Sequence, residues 1–152
     1  MDVGEICSRD VYCAGPDQSL AAAVAEMGKR HVGALVVTDP AAGSARPIGI
    51  VTDRDAVCGQ LTHQADLFCL TVGQVMTPDP LTLLESTDVT SAIRRMSAHT
   101  VRRAPVVSAA GDLVGIVSLD DLIPIVAEEL NALAVLLGEQ ARHERDGTSN
   151  GP

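Results

Sequence analysis

The chain has 152 residues, of which 20 are Asp or Glu and 11 Lys or Arg, for a formal charge of −9. Hydrophobic residues make up 46% of it, enough for one compact domain or two small ones sharing a core, yet Tyr12 and Phe68 are its only aromatic side chains. That balance excludes a general binder of nucleic acid, which needs a basic face or aromatic platforms for the bases, and it leaves Ala, Val, Leu, Ile and Met to fill the interior.

The start, Met1-Asp2-Val3-Gly4-Glu5, shows neither the basic nor the apolar region of a signal peptide, which points to a cytoplasmic chain with reduced thiols. Val3 to Ser8 reads as an extended segment. Ser19 then caps a helix whose Leu20, Ala23, Val24 and Met27 fall at i, i+3, i+4 and i+7, one buried face. A β-type run, Ala34-Leu35-Val36-Val37, is followed by a turn-rich loop from Asp39 to Pro47. A second strand, Gly49-Ile50-Val51, feeds a helix capped by Thr52, with Asp55 at a capping-box spacing.

The pattern then begins again. Val72-Gly73-Gln74-Val75-Met76-Thr77 repeats Val3 to Ser8 at an offset of 69 (3 to 72), and Val89, Ala92, Ile93 and Met96 repeat the helical stripe behind the cap Asp88. Ala104-Pro105-Val106-Val107 gives the strand, and Ser108 to Asp112 a shorter loop, so the offset falls to 66 (49 to 115). There Gly115-Ile116-Val117-Ser118-Leu119-Asp120-Asp121 meets Gly49 to Asp55. The expectation is an α/β module of two repeats, 1–65 and 66–127, each running extended segment, α, β, β, α. One copy alone would bury too little surface to be stable, so the two pack by pseudo-twofold symmetry and create two clefts.

With G-h-h-[ST]-x-x-D present twice, the paired Val-Gly-x-[Ile/Val] starts and the Arg102-Arg103-Ala104-Pro105-Val106-Val107 segment, the chain resembles the cystathionine β-synthase (CBS) domain pair, or Bateman module, over residues 1 to about 127. The resemblance implies a non-catalytic regulatory module that binds an adenosine ligand, commonly AMP, ADP or ATP and sometimes S-adenosylmethionine, between the repeats. It implies that the [ST]-x-x-D segment of one repeat faces the strand entrance of the other, with the Asp on the ribose hydroxyls and the Ser or Thr near the phosphate. Carried onto this sequence, the first cleft joins Thr52, Arg54 and Asp55 to Val101, Arg102 and Arg103. The second joins Ser118, Asp120 and Asp121 to Val32, Gly33 and Ala34, with Cys13 near its base. Arg54 and Asp120 hold equivalent positions with opposite charge; a guanidinium grips phosphate and a carboxylate repels it, so the first cleft is expected to carry the nucleotide. The chemistry is sound independently, since a carboxylate suits a vicinal diol and a helix N-terminus suits an anion.

The same residues admit other readings. The hydroxyl and Asp pairs serve equally as helix caps, and a ligand-free assembly module would use the same fold. A nucleotide hydrolase would have to draw its base from Asp53, Asp55, Asp120 or Asp121. His31, His63, His99 and His143 are scattered, as surface residues are, and no metal site is expected. Cys7, Cys13, Cys58 and Cys69 form no C-x-x-C pair and are expected to be small buried apolar residues.

The C-terminal helix is expected to extend through 128–142 before a disordered tail at 143–152. Glu128, Glu129 and Asn131 break its apolar run, so it does not span a membrane, and Pro124 is expected to kink it locally. Its Leu130, Leu133, Leu136 and Leu137 point to a homodimer. The whole reads as an energy-sensing module without a required cofactor, whose output acts in trans on a protein partner.

Overall fold

A computed structural model describes residues 1–43 and 45–147. The elements in order are α1 (Val3–Ile6), β1 (Cys13–Ala14), α2 (Leu20–Arg30), β2 (Ala34–Thr38), β3 (Pro47–Thr52), α3 (Asp53–His63), α4 (Val72–Val75), β4 (Thr77–Pro78), β5 (Leu83–Leu84), α5 (Val89–Ala98), β6 (Arg103–Val107), β7 (Leu113–Ser118) and α6 (Leu119–Gly147). The mixed α/β class and the duplicated order are as the sequence implies. The segment expected to be extended at the head of each repeat differs, because each begins with one helical turn, α1 or α4. That turn is closed by its own capping box, Asp2 with Glu5 and Thr71 with Gln74.

The chain forms two compact units, Met1–Ser118 and Leu119–Pro152. In the first, one sheet has the order β1-β2-β3-β4 and the other β5-β6-β7. Each has a parallel pair (β1 with β2, β5 with β6) followed by an antiparallel pair in matching register, Ala34 opposite Thr52 and Arg103 opposite Ser118.

The repeats exchange their leading segments. β4 comes from the head of the second repeat yet pairs with β3 of the first, with Ile50 opposite Thr77. Reciprocally, Ser8 and Ile116 of β7 exchange two backbone hydrogen bonds of 2.9 Å. α4 docks on the first repeat through Gly73 N to Pro16 O (2.8 Å), and α1 on the second through Gly4 N to Glu85 O (2.9 Å).

The core of this unit is aliphatic. Leu20, Ala23, Met27, Leu35, Val37 and Val51 pack with Leu70 and Val72, which the second repeat contributes. Ser19 and Asp88 cap α2 and α5 as read, accepting from Ala22 N and Ser91 N. Met27 and Met96 are buried. The cysteines correct the sequence reading: Cys13, Cys58 and Cys69 are exposed and Cys7 is half-buried. With so many aliphatic residues at the stripe positions, the interior does not need the thiols.

The second unit is α6, a helix of 29 residues that contains Pro124. It continues past 142, where the sequence suggested a tail, because His143, Glu144 and Arg145 are compatible with a helix end. Residues 148–152 of the expected disordered tail lie outside the described residues.

Candidate functional site

The motif of the first repeat is built at the junction of β3 and α3. Thr52 keeps extended backbone (φ −114°, ψ 164°) while Asp53 begins the helix, so the end of the strand aims its hydroxyl along the first turn. Thr52 Oγ1 accepts from Asp55 N at 3.1 Å, and Asp55 Oδ2 accepts from Thr52 N at 2.9 Å. Both residues therefore serve as caps. Asp55 commits one oxygen, and Oδ1 bonds to no described residue. Arg54 projects from the exposed side of the same turn, its N–H donating to Asp53 Oδ1 at 2.8 Å.

The second repeat reaches this turn through Arg103. The first residue of β6, it lies opposite Ser118 in its own sheet. Its guanidinium crosses to the first repeat: a methyl group placed on Gly33 would lie 3.8 Å from Arg103 Nη1 and 3.5 Å from Asp53 Oδ2. Asp53 N also donates to Gly33 O at 3.1 Å. A cation from one repeat and an anion from the other thus flank one glycine. Arg103 is half-buried, whereas Arg102 is exposed, and Val101 is fixed by its N–H donating to Met96 O at 3.0 Å.

The second set is placed as follows. Val32, Gly33 and Ala34 are half-buried, with Ala34 opposite Thr52 and Gly33 against Asp53, so their backbone runs beside the first motif. Ser118 closes β7, and Asp120 and Asp121 stand in the first turn of α6. Cys13 lies opposite Val36 in β1. Its side chain is exposed by area, yet partial desolvation pushes the thiol up, opposed by a hydrogen bond with Thr38.

All four histidines are exposed, and the described residues hold no group of three His, Cys, Asp or Glu able to bind a metal. No helix among them is long and apolar enough to cross a membrane. Sequence reasoning missed the place of Asp53, which it weighed only as a possible base. The register that sets Gly33 between Asp53 and Arg103 has no signature in local spacing.

A site shaped by two interlocked repeats finds its parallel among known proteins. The CBS domain model matches residues 3–58 and 72–128. The chain belongs to the CBS domain family and carries two such domains in tandem. It is 35% identical over 120 residues to an uncharacterized 17.7 kDa protein of Acidianus ambivalens, an alignment spanning 79% of this chain and 70% of that one. Among solved structures it resembles CBSX2 in complex with AMP, at TM-score 0.70 and 26% identity, covering 84% of this chain and 96% of the other. The fold also matches the CBS domain pair of protein MJ0100, solved with 5'-methylthioadenosine and S-adenosyl-L-methionine, at TM-score 0.72 and 23% identity, covering 85% and 98%.

Proposed function

We propose that this chain is a cytoplasmic, non-catalytic regulatory module that binds one adenine nucleotide (AMP, ADP or ATP) in its first cleft and signals, as a homodimer, to a protein partner in trans. The observation that carries this reading is the crossing of Arg103 from the second repeat to the Thr52–Asp55 turn of the first. A ligand at that crossing touches both repeats, so its binding energy acts directly on their relative position. The solved AMP complex of a 26% identical relative supports the ligand class.

In this assignment Asp55 Oδ1 accepts from the ribose hydroxyls, while Arg54, Arg102 and Arg103 surround the phosphate. Val101 and the backbone of the strand entrance hold the adenine. The second cleft, with Ser118, Asp120, Asp121, Val32, Gly33, Ala34 and Cys13, is the weaker one because Asp120 stands where Arg54 stands in the first. Competition among AMP, ADP and ATP for one site makes the module a sensor of adenylate energy state.

Calorimetry tests this. AMP is expected to bind with a stoichiometry near one per chain; two equal sites would refute the charge argument. Arg54→Ala is expected to weaken AMP about ten- to a hundredfold while leaving adenosine nearly unchanged, the worth of a charge-assisted hydrogen bond. Asp55→Asn keeps an oxygen for Thr52 N, so the cap survives, but it is expected to weaken AMP and adenosine alike. Equal losses for both ligands in the Arg54 variant would overturn the phosphate assignment. Tighter binding of S-adenosylmethionine than of any nucleotide would move the ligand class.

A further inference from the structure

Every residue from Ala127 to Arg145 is exposed, and Leu130, Leu133, Val135, Leu136 and Leu137 keep between 53% and 67% of their surface. In proteins most helical stability comes from packing an apolar face. The apolar pattern here has a definite period. Ile123, Val126, Leu130, Leu133 and Leu137 are separated by 3, 4, 3 and 4 residues, the a and d spacing of successive heptads. Ala127, Ala134 and Ala141 form a neighbouring column seven residues apart, small enough to let another backbone approach.

We propose that this seam packs against α6 of a second copy, the two helices running antiparallel. This deepens the homodimer of the proposed function and does not depend on the nucleotide. The charge distribution sets the direction. Asp120, Asp121, Glu128 and Glu129 give the first half of α6 a formal charge of −4, whereas in the second half Arg142 and Arg145 offset two of Glu139, Glu144 and Asp146 and leave −1. A parallel pair would set the two −4 halves side by side, whereas an antiparallel pair sets each against the nearly neutral half of the other and opposes the helix dipoles. Burying the exposed parts of these side chains on both helices removes on the order of 1,000 Å² from water, the lower bound for a specific interface.

The test uses the full chain. Light scattering across a dilution series is expected to show a dimer, and Leu130→Ala with Leu133→Ala is expected to raise its dissociation constant about a hundredfold or more. Alanine is the best helix former, so α6 itself persists in that variant, which circular dichroism verifies. A monomeric full-length chain would overturn the α6 pairing and the homodimer together. An equally tight variant dimer would overturn the seam and place the homodimer on another surface. For direction, Leu137→p-benzoylphenylalanine is expected to crosslink to the partner subunit's Ile123, the opposite end of the seam. That product cannot form within one chain, because 14 residues of helix span about 21 Å. A crosslink to the partner subunit's Leu137 region would overturn the antiparallel arrangement.

Discussion

His31 and Thr100 hold the same place in the two repeats, just after α2 and α5, and both lie in the left-handed region, with φ of 55° and 54°. For a β-branched residue this backbone is strained, since the crowding that disfavours it for every L-residue is worst with two substituents on Cβ. Each residue turns the chain into a strand entrance, Val32-Gly33-Ala34 or Val101-Arg102-Arg103, so the strain sits beside the backbone proposed above to face the ligand. Thr100→Asn, which tolerates this conformation, is expected to stabilise the protein by about 0.5–1 kcal/mol in urea unfolding while leaving AMP affinity unchanged. Loss of stability would show that Thr100 makes a compensating contact. A second residue-scale effect concerns Asp88, whose carboxyl is held below the usual range chiefly by its side-chain hydrogen bond with Ser91, and further by the Ser91 backbone N–H. A depressed folded value means that this stabilisation is complete above the unfolded carboxylate range and is lost as pH falls through the folded value. Asp88→Ser keeps a cap without the charge. It is expected to flatten the dependence of the melting temperature on pH below about pH 4, and an unchanged acid limb would remove Asp88 from the account.

At the scale of elements, the glycines of the repeated motifs mark where the exchanged segments touch. A methyl group on Gly115 would lie 2.9 Å from Ser8 O and 2.5 Å from Cys7 Sγ; on Gly49, its counterpart, 2.5 Å from Met76 Sδ and 3.1 Å from Thr77 O. Gly4 is as tight, 2.8 Å from Glu85 O. Gly4→Ala and Gly115→Ala are therefore expected to destabilise by about 1–3 kcal/mol, because backbone oxygens have to move. Gly28, inside α2 with no atom within 4 Å of such a methyl, is the control. Gly28→Ala is expected to stabilise by about 0.5–1 kcal/mol. Similar losses at all three positions in chemical denaturation would dismiss the close-packing explanation. These glycines were legible in the sequence as repeated letters, since duplication displays a constraint even when its cause is hidden. Stripes such as Leu20, Ala23 and Met27 were legible for a direct reason: helical period and burial are the same information. The exchange of α1 and α4 was not legible, because a four-residue turn is too short to show a period. Arg103 was joined to the Thr52–Asp55 turn only through the family resemblance, and the place of Asp53 beside it was not legible, because it depends on how two sheets meet.

At the scale of the molecule, reciprocal exchange makes the two repeats one folding unit. The cluster around Leu20, Leu35 and Val51 is completed by Leu70 and Val72, which are 4% and 0% exposed and belong to the chain that leads into the second repeat. On the other side, Val3 is fully buried, and its N–H donates to Thr87 O at 2.8 Å. A fragment ending at residue 65 would lose Leu70, Val72 and the β4 edge together. The complementary fragment would lose α1 and the Ser8 pairing on β7. Two large side chains removed from a core cost about 2–5 kcal/mol each, comparable to the whole stability of a small domain. Fragments 1–65 and 66–152 are therefore each expected to be largely unfolded alone, with little protection in hydrogen exchange. Mixed in equal amounts, they are expected to recover the circular dichroism and the AMP binding of the intact chain, since every exchanged contact re-forms between them. Cooperative melting of either fragment in isolation would show that its repeat folds without the exchange. Recovery of secondary structure without AMP binding would show that the cleft needs the covalent link between α3 and α4.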